Sequence, residues 1–167
     1  MSQDGAPTYE VGGSRVWFLQ TAQSSGGAVH EQRVEYHPGS PFPPTHFHPA
    51  QDEDFEIESG SMVFVVAGEE RVVDQGDHLH IPRGTPHRAR NASSQHPAVV
   101  RWATRPALRT TAFFWTVGRL GEDPSLLDTA LLAHEFRDVL RPTGVQGALV
   151  PVVGRLATVI GRRLPEA

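Results

Sequence analysis

Four side chains in two short stretches of the sequence have the types and spacing of metal ligands. His46 and His48 stand two residues apart, Glu53 follows five residues after His48, and His87 lies farther along the chain. Three imidazole nitrogens and one carboxylate oxygen hold a divalent transition metal and leave coordination positions open for chemistry. The sequence therefore predicts one metal centre formed by these four residues.

The alternation of side chains along a strand indicates that the first three of these residues face one interior. His46 and His48 are two residues apart, so both rings project from the same side of a strand. Pro49 breaks that strand, and beyond it Glu53 shares a face with Phe55, which must be buried. Glu53 is thus the one carboxylate of an acidic run that is carried inside. Burying it is costly unless a cation or hydrogen bonds compensate the charge.

The second stretch follows the same rule. His-Leu-His-Ile over 78–81 alternates polar and apolar residues, so Leu79 and Ile81 face inward and the two histidines face outward. After a proline–glycine turn the chain re-enters a strand, where we expect His87 to point inward and Arg88 outward. Outward-facing histidines on a strand are interpreted as surface or interface residues rather than as a second metal site.

The chemistry of the predicted centre follows from its donors. Three nitrogens and one oxygen suit Fe(II), Mn(II), Ni(II), Zn(II) or Cu(II), and the spacing does not choose among them. Glu53 is the only ligand with a second oxygen, so it is the candidate to detach and act as a base. Four further residues are core side chains or line a ligand cavity: Phe55, Met62, Phe64 and Trp102.

Composition excludes several classes of function. The chain has 167 residues, enough for one domain with a sizeable core. It has no cysteine and no lysine, which excludes thiol nucleophiles, iron–sulfur clusters and lysine Schiff bases. A net charge of −4 gives no reason to expect nucleic acid or an anionic membrane as partner. No secretory signal and no long apolar run is visible, so we expect a cytoplasmic protein.

The pattern of the chain changes near residue 109. Before it, turn residues separate short alternating segments, which is typical of a β-sandwich or barrel. The expected strands are Arg15–Gln20, Ala28–Tyr36, Thr45–His48, Asp54–Ile57, Ser61–Ala67, Glu70–Val73, His78–Ile81, His87–Asn91 and Ala98–Thr104. After it the apolar spacing is helical. Asp123 and Pro124 are expected to begin a helix that reaches Leu140, and 145–164 is expected to form another.

Both stretches resemble the two motifs of the cupin superfamily. The first motif is a glycine, His-x-His, four residues, a glutamate, six residues and a glycine; it is matched from Gly39 to Gly60 with one extra residue before His46. The second is a glycine, five residues, Pro-x-Gly, two residues, a histidine, three residues and an asparagine. It is matched from Gly76 to Asn91 without deviation.

This resemblance implies a fold and a ligand set. It implies an all-β antiparallel double-stranded β-helix, or jelly-roll barrel, over 14–109. Outside the barrel we expect a flexible N-terminus over 1–13 and, from the helical apolar spacing, a helical C-terminal appendage over 110–167. The appendage is expected to pack on the barrel or on a dimer partner. The resemblance also carries the metal-ligand role onto His46, His48, Glu53 and His87. The surrounding sequence is similar to a group of small single-domain actinobacterial-type cupins whose activities are mostly unassigned.

Two functional hypotheses arise from the metal centre. The first is an enzyme that acts on a small organic molecule, either as a dioxygenase-like oxygenase or as an isomerase, cyclase or lyase that uses Lewis-acid chemistry. The second is a non-catalytic module that binds or senses a metal or small ligand. Because Val63 and Val65 are apolar on the expected outer face of their strand, the sequence also predicts a homodimer formed by sheet-to-sheet pairing.

Overall fold

Strands dominate the first two thirds of the chain and helices the last third. The computed structural model describes residues 8–121, 123–159 and 161–165, without the side chains of 145 and 146. The strands are β1 (Tyr9–Val11), β2 (Ser14–Gln20), β3 (His30–Tyr36), β4 (His46–Phe47), β5 (Asp52–Ser59), β6 (Ser61–Val66), β7 (Glu69–Asp74), β8 (His78–Ile81), β9 (His87–Asn91), β10 (Ala98–Arg105) and β11 (Arg141–Pro142). The helices are α1 (Thr110–Leu120), α2 (Leu126–Glu135) and α3 (Gly144–Val159).

The strands form two antiparallel sheets. One has the order β1-β2-β3-β10-β5-β8 and the other the order β11-β4-β9-β6-β7. Side chains alternate as the sequence predicts: in β5, Glu53, Phe55 and Ile57 are buried and their neighbours are partly exposed. The inward-facing apolar residues form one core cluster: Phe55, Ile57, Met62, Phe64, Val66, Val73, Leu79, Ile81, Ala98 and Val100. The predicted jelly roll with C-terminal helices is confirmed.

The described part of the N-terminal segment, which the sequence predicts to be flexible over 1–13, contains a short strand. Tyr9–Val11 pairs with β2, so that Tyr9 lies opposite Val16 and Val11 opposite Ser14. Gly12 and Gly13 form the two-residue turn, and both have the positive φ that such a hairpin turn requires. The Tyr9 ring then packs edge-on against Phe18. Residues 1–7 lie outside the described residues.

Helix α2 begins and ends at other residues than predicted. Its N-cap is Ser125, not Asp123, because the Ser125 hydroxyl accepts the Asp128 N–H while the Asp128 carboxylate accepts the Ser125 N–H. Pro124 therefore lies before the helix. The helix ends at Glu135 rather than Leu140, and the next residues leave the helical path to place Phe136 and Val139 in a small apolar cluster with Phe113.

The expected exposure of Val63 on the outer face of β6 is also wrong. Its side chain is 5% exposed. Val72 and Arg90 lie opposite it on the two neighbouring strands, and the Arg90 guanidinium lies 4.9 Å from the centre of the Phe42 ring. This cover removes Val63 from the surface on which the sequence-based dimer prediction relied, whereas Val65 stays partly exposed.

The C-terminal segment contributes a strand to the barrel, and its helices also pack on one another. Strand β11 pairs with β4, which places Pro142 opposite His46 and Arg141 opposite Phe47. The Thr143 N–H donates to the carbonyl of Thr45 at 2.9 Å. Among the described residues, no helix has both the length and the apolar character needed to cross a bilayer.

Candidate metal centre

Two adjacent strands of the five-stranded sheet bring the histidines together. His46 on β4 lies directly opposite His87 on β9, and His48 follows β4 at the point where the chain leaves the strand. Their ring centres are 4.6 to 5.5 Å apart. The ligand nitrogens of the three rings all lie within 4.8 Å of one another. A single ion could therefore contact all three rings.

Glu53 approaches the same point from the opposite sheet. It lies near the start of β5, paired with Ile81 and Thr104 on the neighbouring strands, and its side chain is 1% exposed. One carboxylate oxygen, Oε2, lies 2.8 Å from His87 Nε2, and the other, Oε1, lies 3.2 Å from His48 Nε2. The structure thus brings together all four residues that the sequence singled out as ligands.

Each histidine ring is oriented by a backbone carbonyl. The Nδ1 atoms of His46, His48 and His87 lie 2.9, 2.7 and 2.9 Å from the carbonyl oxygens of Pro44, Val139 and Thr85, respectively. A carbonyl oxygen only accepts, so the proton of each ring is on Nδ1. In the neutral ring, Nε2 then presents a lone pair, which is the form in which histidine binds a metal.

Two buried polar atoms at this point have no hydrogen-bond partner among the described residues: His48 Nε2 and Glu53 Oε2. Oε2 is close to His87 Nε2, but a neutral ring that donates from Nδ1 offers it a lone pair rather than an N–H. Two facing acceptors repel each other unless a proton or a cation lies between them. The donor set and these unsatisfied atoms therefore fit a bound divalent ion.

The charges of the site favour the ligand-ready forms of His46 and Glu53 but not that of His87. Burial, reinforced by the nearby rings of His87 and His48, lowers the pKa of His46 to about 4. Burial alone would raise the pKa of Glu53, but the neighbouring imidazoles outweigh it and hold the pKa below its usual range. Burial opposes protonation of His87, whereas contact with the Glu53 carboxylate raises its pKa overall. In the metal-free protein a proton shared by His87 and Glu53 therefore competes with metal binding.

The two outward histidines of β8 do not join the centre. His78 and His80 are exposed, and His80 Nδ1 lies 2.7 Å from Asp54 Oδ1 on the outer face of the six-stranded sheet. No second group of metal-binding residues is found in the described part of the chain.

Comparison with known proteins agrees with this geometry. Residues 32–104 match the model of the Cupin domain family. This stretch of the chain is a cupin domain. All four candidate ligands lie within the matched cupin residues, between β3 and β10. A search of curated proteins gives no significant match to the chain.

Solved structures share the cupin fold at low sequence identity. KdgF from Halomonas sp. is 19% identical, with a TM-score of 0.51 over 60% of this chain and 86% of its own. A predicted oxalate decarboxylase from Thermotoga maritima is 19% identical, with a TM-score of 0.52 over 56% of this chain and 80% of its own. An RmlC-like cupin from Shewanella frigidimarina is 17% identical, with a TM-score of 0.51 over 60% of this chain and 82% of its own. These likenesses show the fold and not the reaction.

The four candidate cavity residues lie beside the centre in different ways. Phe55, Met62 and Phe64 are 4%, 0% and 0% exposed and belong to the packed core cluster. Trp102 is half-buried, and its indole N–H donates to Glu53 Oε1 at 2.9 Å. A cavity-lining role for these residues stays a prediction.

Sequence reasoning did not find the partners that orient the ligands. The carbonyl of Val139 lies 91 residues from His48 along the chain, and no residue type marks it because every residue has a carbonyl. The indole of Trp102 had a detectable signal: it alternates with Val100 and Thr104 on the inner face of β10, so a polar N–H enters the interior beside Glu53.

Proposed function

We propose that the cupin domain is a metal-dependent enzyme that acts on a small organic molecule. The observation that carries this proposal is the convergence of three imidazoles on a buried carboxylate whose Oε2 has no hydrogen-bond partner among the described residues. His46, His48, Glu53 and His87 would hold one divalent ion, which is Fe, Mn, Ni, Zn or Cu. Such an ion supplies Lewis-acid chemistry or oxygen activation.

The protein residues have separate roles in this proposal. The three backbone carbonyls fix the rings with Nε2 toward the ion, which lowers the reorganisation needed on binding. Glu53 compensates one positive charge in an interior where an uncompensated ion would be costly. As a base Glu53 would act through Oε1, the oxygen that accepts the Trp102 N–H. This contact stabilises the charged carboxylate and so weakens it as a base.

The proposed reaction is an oxygenation, or an isomerisation, cyclisation or lyase reaction that needs no oxygen. The protein would be loaded with each of the five metals and offered a panel of small enols, keto acids and phenols. Oxygen consumption would be followed in air, and product formation without oxygen. We expect turnover with one metal form, its loss in His87→Ala and its retention in His80→Ala. Stoichiometric metal binding without turnover on any compound would contradict the proposal.

The alternative is a non-catalytic cupin that binds or senses a metal or small ligand. It is favoured by the low exposure of the site, since His48, Glu53 and His87 are 5%, 1% and 3% exposed. Under this alternative the metal form binds one compound of the same panel tightly, by calorimetry, and returns it unchanged.

We also propose that the protein is a homodimer and works in the cytoplasm. Val63 on β6 is covered. Among the described residues, α3 has a larger exposed apolar surface than β6. Four of the α3 side chains, spaced three, four and three residues apart, are 54 to 82% exposed: Leu149, Val152, Leu156 and Val159. Such spacing is typical of a helix that packs along another helix.

A further inference from the structure

Trp102 is held rigidly beside the candidate metal centre. On β10 it lies opposite Phe55 of β5 and Gln32 of β3. Its ring stacks on Phe55, with centres 5.3 Å apart, and meets the ring of Phe114 of α1 edge-on at 5.2 Å. The half-buried indole therefore lies between the barrel wall and the first C-terminal helix, and contacts with both set its direction.

The fixed indole is aimed at one oxygen of Glu53. Its Nε1–H donates to Oε1 at 2.9 Å, and Oε1 also lies 3.2 Å from His48 Nε2. The other oxygen, Oε2, is buried 2.8 Å from His87 Nε2, and it receives no hydrogen bond from that ring while the ring proton is on Nδ1. A hydrogen bond from a neutral donor to a buried carboxylate is stronger than one between neutral groups. The two carboxylate oxygens are thus made unequal by a contact outside the ligand set.

We infer that Trp102 is a positioning residue that makes Glu53 a one-oxygen ligand through Oε2. The inference rests on the proposed metal site and goes beyond it, because the ligand set alone leaves open whether the carboxylate binds through one oxygen or two. By occupying Oε1, the indole keeps Glu53 from rotating to offer both oxygens. A coordination position of the ion is thereby left for a substrate or for water.

A simpler explanation is that the Trp102 N–H merely needs a buried acceptor. The two explanations predict different effects of losing the N–H while the ring is kept. If the bond only satisfies the indole, its loss alters stability and leaves the metal environment unchanged. If the bond positions Glu53, its loss alters how the ion is held.

The test uses Co²⁺ as the probe metal, because its visible absorption reports coordination number and geometry. The full chain is prepared with Trp17→Phe and Trp115→Phe, so that Trp102 is its only tryptophan. In this parent, Trp102 is replaced by 3-benzothienylalanine, which keeps the two-ring shape and has sulfur in place of N–H, and separately by phenylalanine. Trp115→Phe alone is the control, because Trp115 is 38% exposed and packs on Phe18.

We expect the benzothienyl protein to melt close to its parent and to bind Co²⁺ about 10- to 100-fold more weakly, which is the usual effect of removing a partner of a metal ligand. Its Co²⁺ absorption should also change in intensity as the carboxylate becomes free to bind through both oxygens. Trp102→Phe should likewise weaken Co²⁺ binding and change the Co²⁺ absorption. Trp115→Phe should change neither the affinity nor the absorption.

Three results would overturn the inference in distinguishable ways. An unchanged Co²⁺ affinity and spectrum in the benzothienyl protein would remove the positioning role and leave the metal site standing. Failure of the unaltered protein to bind Co²⁺ at all would overturn the proposed function together with the inference. A weaker affinity with an unchanged spectrum would also contradict the role assigned to the indole.

Discussion

Glu53 carries a carboxylate into an interior that is otherwise lined mainly by apolar side chains. At 1% exposure it has lost its hydration, and among the described residues its hydrogen bond from Trp102 satisfies only Oε1. Such a group destabilises a fold unless an opposite charge compensates it. The proposed ion would compensate this buried charge.

Removing a ligand should empty the site without unfolding the barrel. We expect Glu53→Gln and His87→Ala each to lower bound metal by at least about tenfold, as measured by elemental analysis after dialysis against a limiting metal supply. Melting of the metal-free Glu53→Gln protein should stay within about 5 °C of the unaltered protein, because this change leaves no buried charge and the core cluster is untouched.

His80→Ala is the matched control, since His80 lies on the outer face of the same barrel beside Asp54. It should retain the metal content of the unaltered protein. Full occupancy in both ligand variants would refute the assignment, and a loss in His80→Ala equal to theirs would show that the metal is held elsewhere.

The sequence predicts which side chains of β5 and β8 face the interior. The period of two in β5 places Glu53 with Phe55 and Ile57, and the same rule places His78 and His80 outside. The tautomer of each ring could not be predicted, because it is set by backbone carbonyls such as that of Val139, which carry no sequence signal and are brought near only by the tertiary fold.

Among the secondary-structure elements, α2 shows how a local contact overrides a plausible start signal. Asp123 and Pro124 have the residue types of a helix start, yet Ser125 and Asp128 satisfy each other's backbone N–H groups and so define the first turn. Asp128 is also bound by Arg162 through two contacts of 2.8 Å. The same carboxylate therefore caps α2 and ties it to the residues after α3.

This double role predicts a pH dependence. Arg162 and Ser125 lower the pKa of Asp128 to about 2. Because the folded value lies below the unfolded value of about 4, the stabilisation is complete above pH 4 and is lost as pH falls toward 2. We expect Asp128→Asn to lower the melting temperature by about 2–4 °C at pH 7, and this difference to shrink as pH falls from 4 toward 2.

Melting curves of the two proteins, followed by circular dichroism across this pH range, provide the measurement. Asp123→Asn is the control, because in the structure that residue precedes the cap and should show no such difference. A gap between Asp128→Asn and the unaltered protein that persists undiminished at pH 2 would contradict the assigned contact.

The sequence does not predict strand β1, because a tertiary contact stabilises it. A three-residue strand is too short to show a clear alternation, and only the Gly12–Gly13 pair marks its turn. Its pairing with β2 is stabilised by a tertiary contact of Tyr9 with Phe18. By contrast, the sequence predicts β8 and β9 with their observed bounds. Turn residues flank each of these strands, and each strand carries side chains that face the core.

At the scale of the whole molecule, the C-terminal segment is connected to the barrel near the candidate metal centre. The Val139 carbonyl orients His48, and β11 extends the sheet beside His46. At the other junction, buried Gln51 donates to the carbonyl of Pro106 at 2.8 Å and to the Thr110 hydroxyl at 2.7 Å. The packing of the C-terminal segment and the geometry of the candidate ligands are therefore coupled. The domain boundary near residue 109 stays a prediction.

The proposed self-association involves the exposed apolar side chains of α3. If the apolar stripe of α3 forms the dimer contact, Leu156→Glu should convert the protein to a monomer, because a buried carboxylate without a partner opposes association. Size-exclusion chromatography with light scattering at micromolar concentration would show the change in mass. Val72→Glu is the control, since Val72 is 58% exposed on β7 away from this helix.

An unaltered protein that is monomeric under these conditions would contradict the dimer. A dimer that persists in Leu156→Glu and dissociates in Val72→Glu would instead place the contact on the five-stranded sheet. Neither result bears on the metal centre, whose candidate ligands all come from one chain.

Anomalous diffraction from crystals grown with Co²⁺, recorded on both sides of the cobalt absorption edge, would show directly whether the four residues hold one metal ion. We expect one strong peak inside the barrel, about 2.0–2.2 Å from Nε2 of His46, His48 and His87 and from one oxygen of Glu53. A peak bound elsewhere, or no peak with the four side chains turned apart, would contradict this expectation.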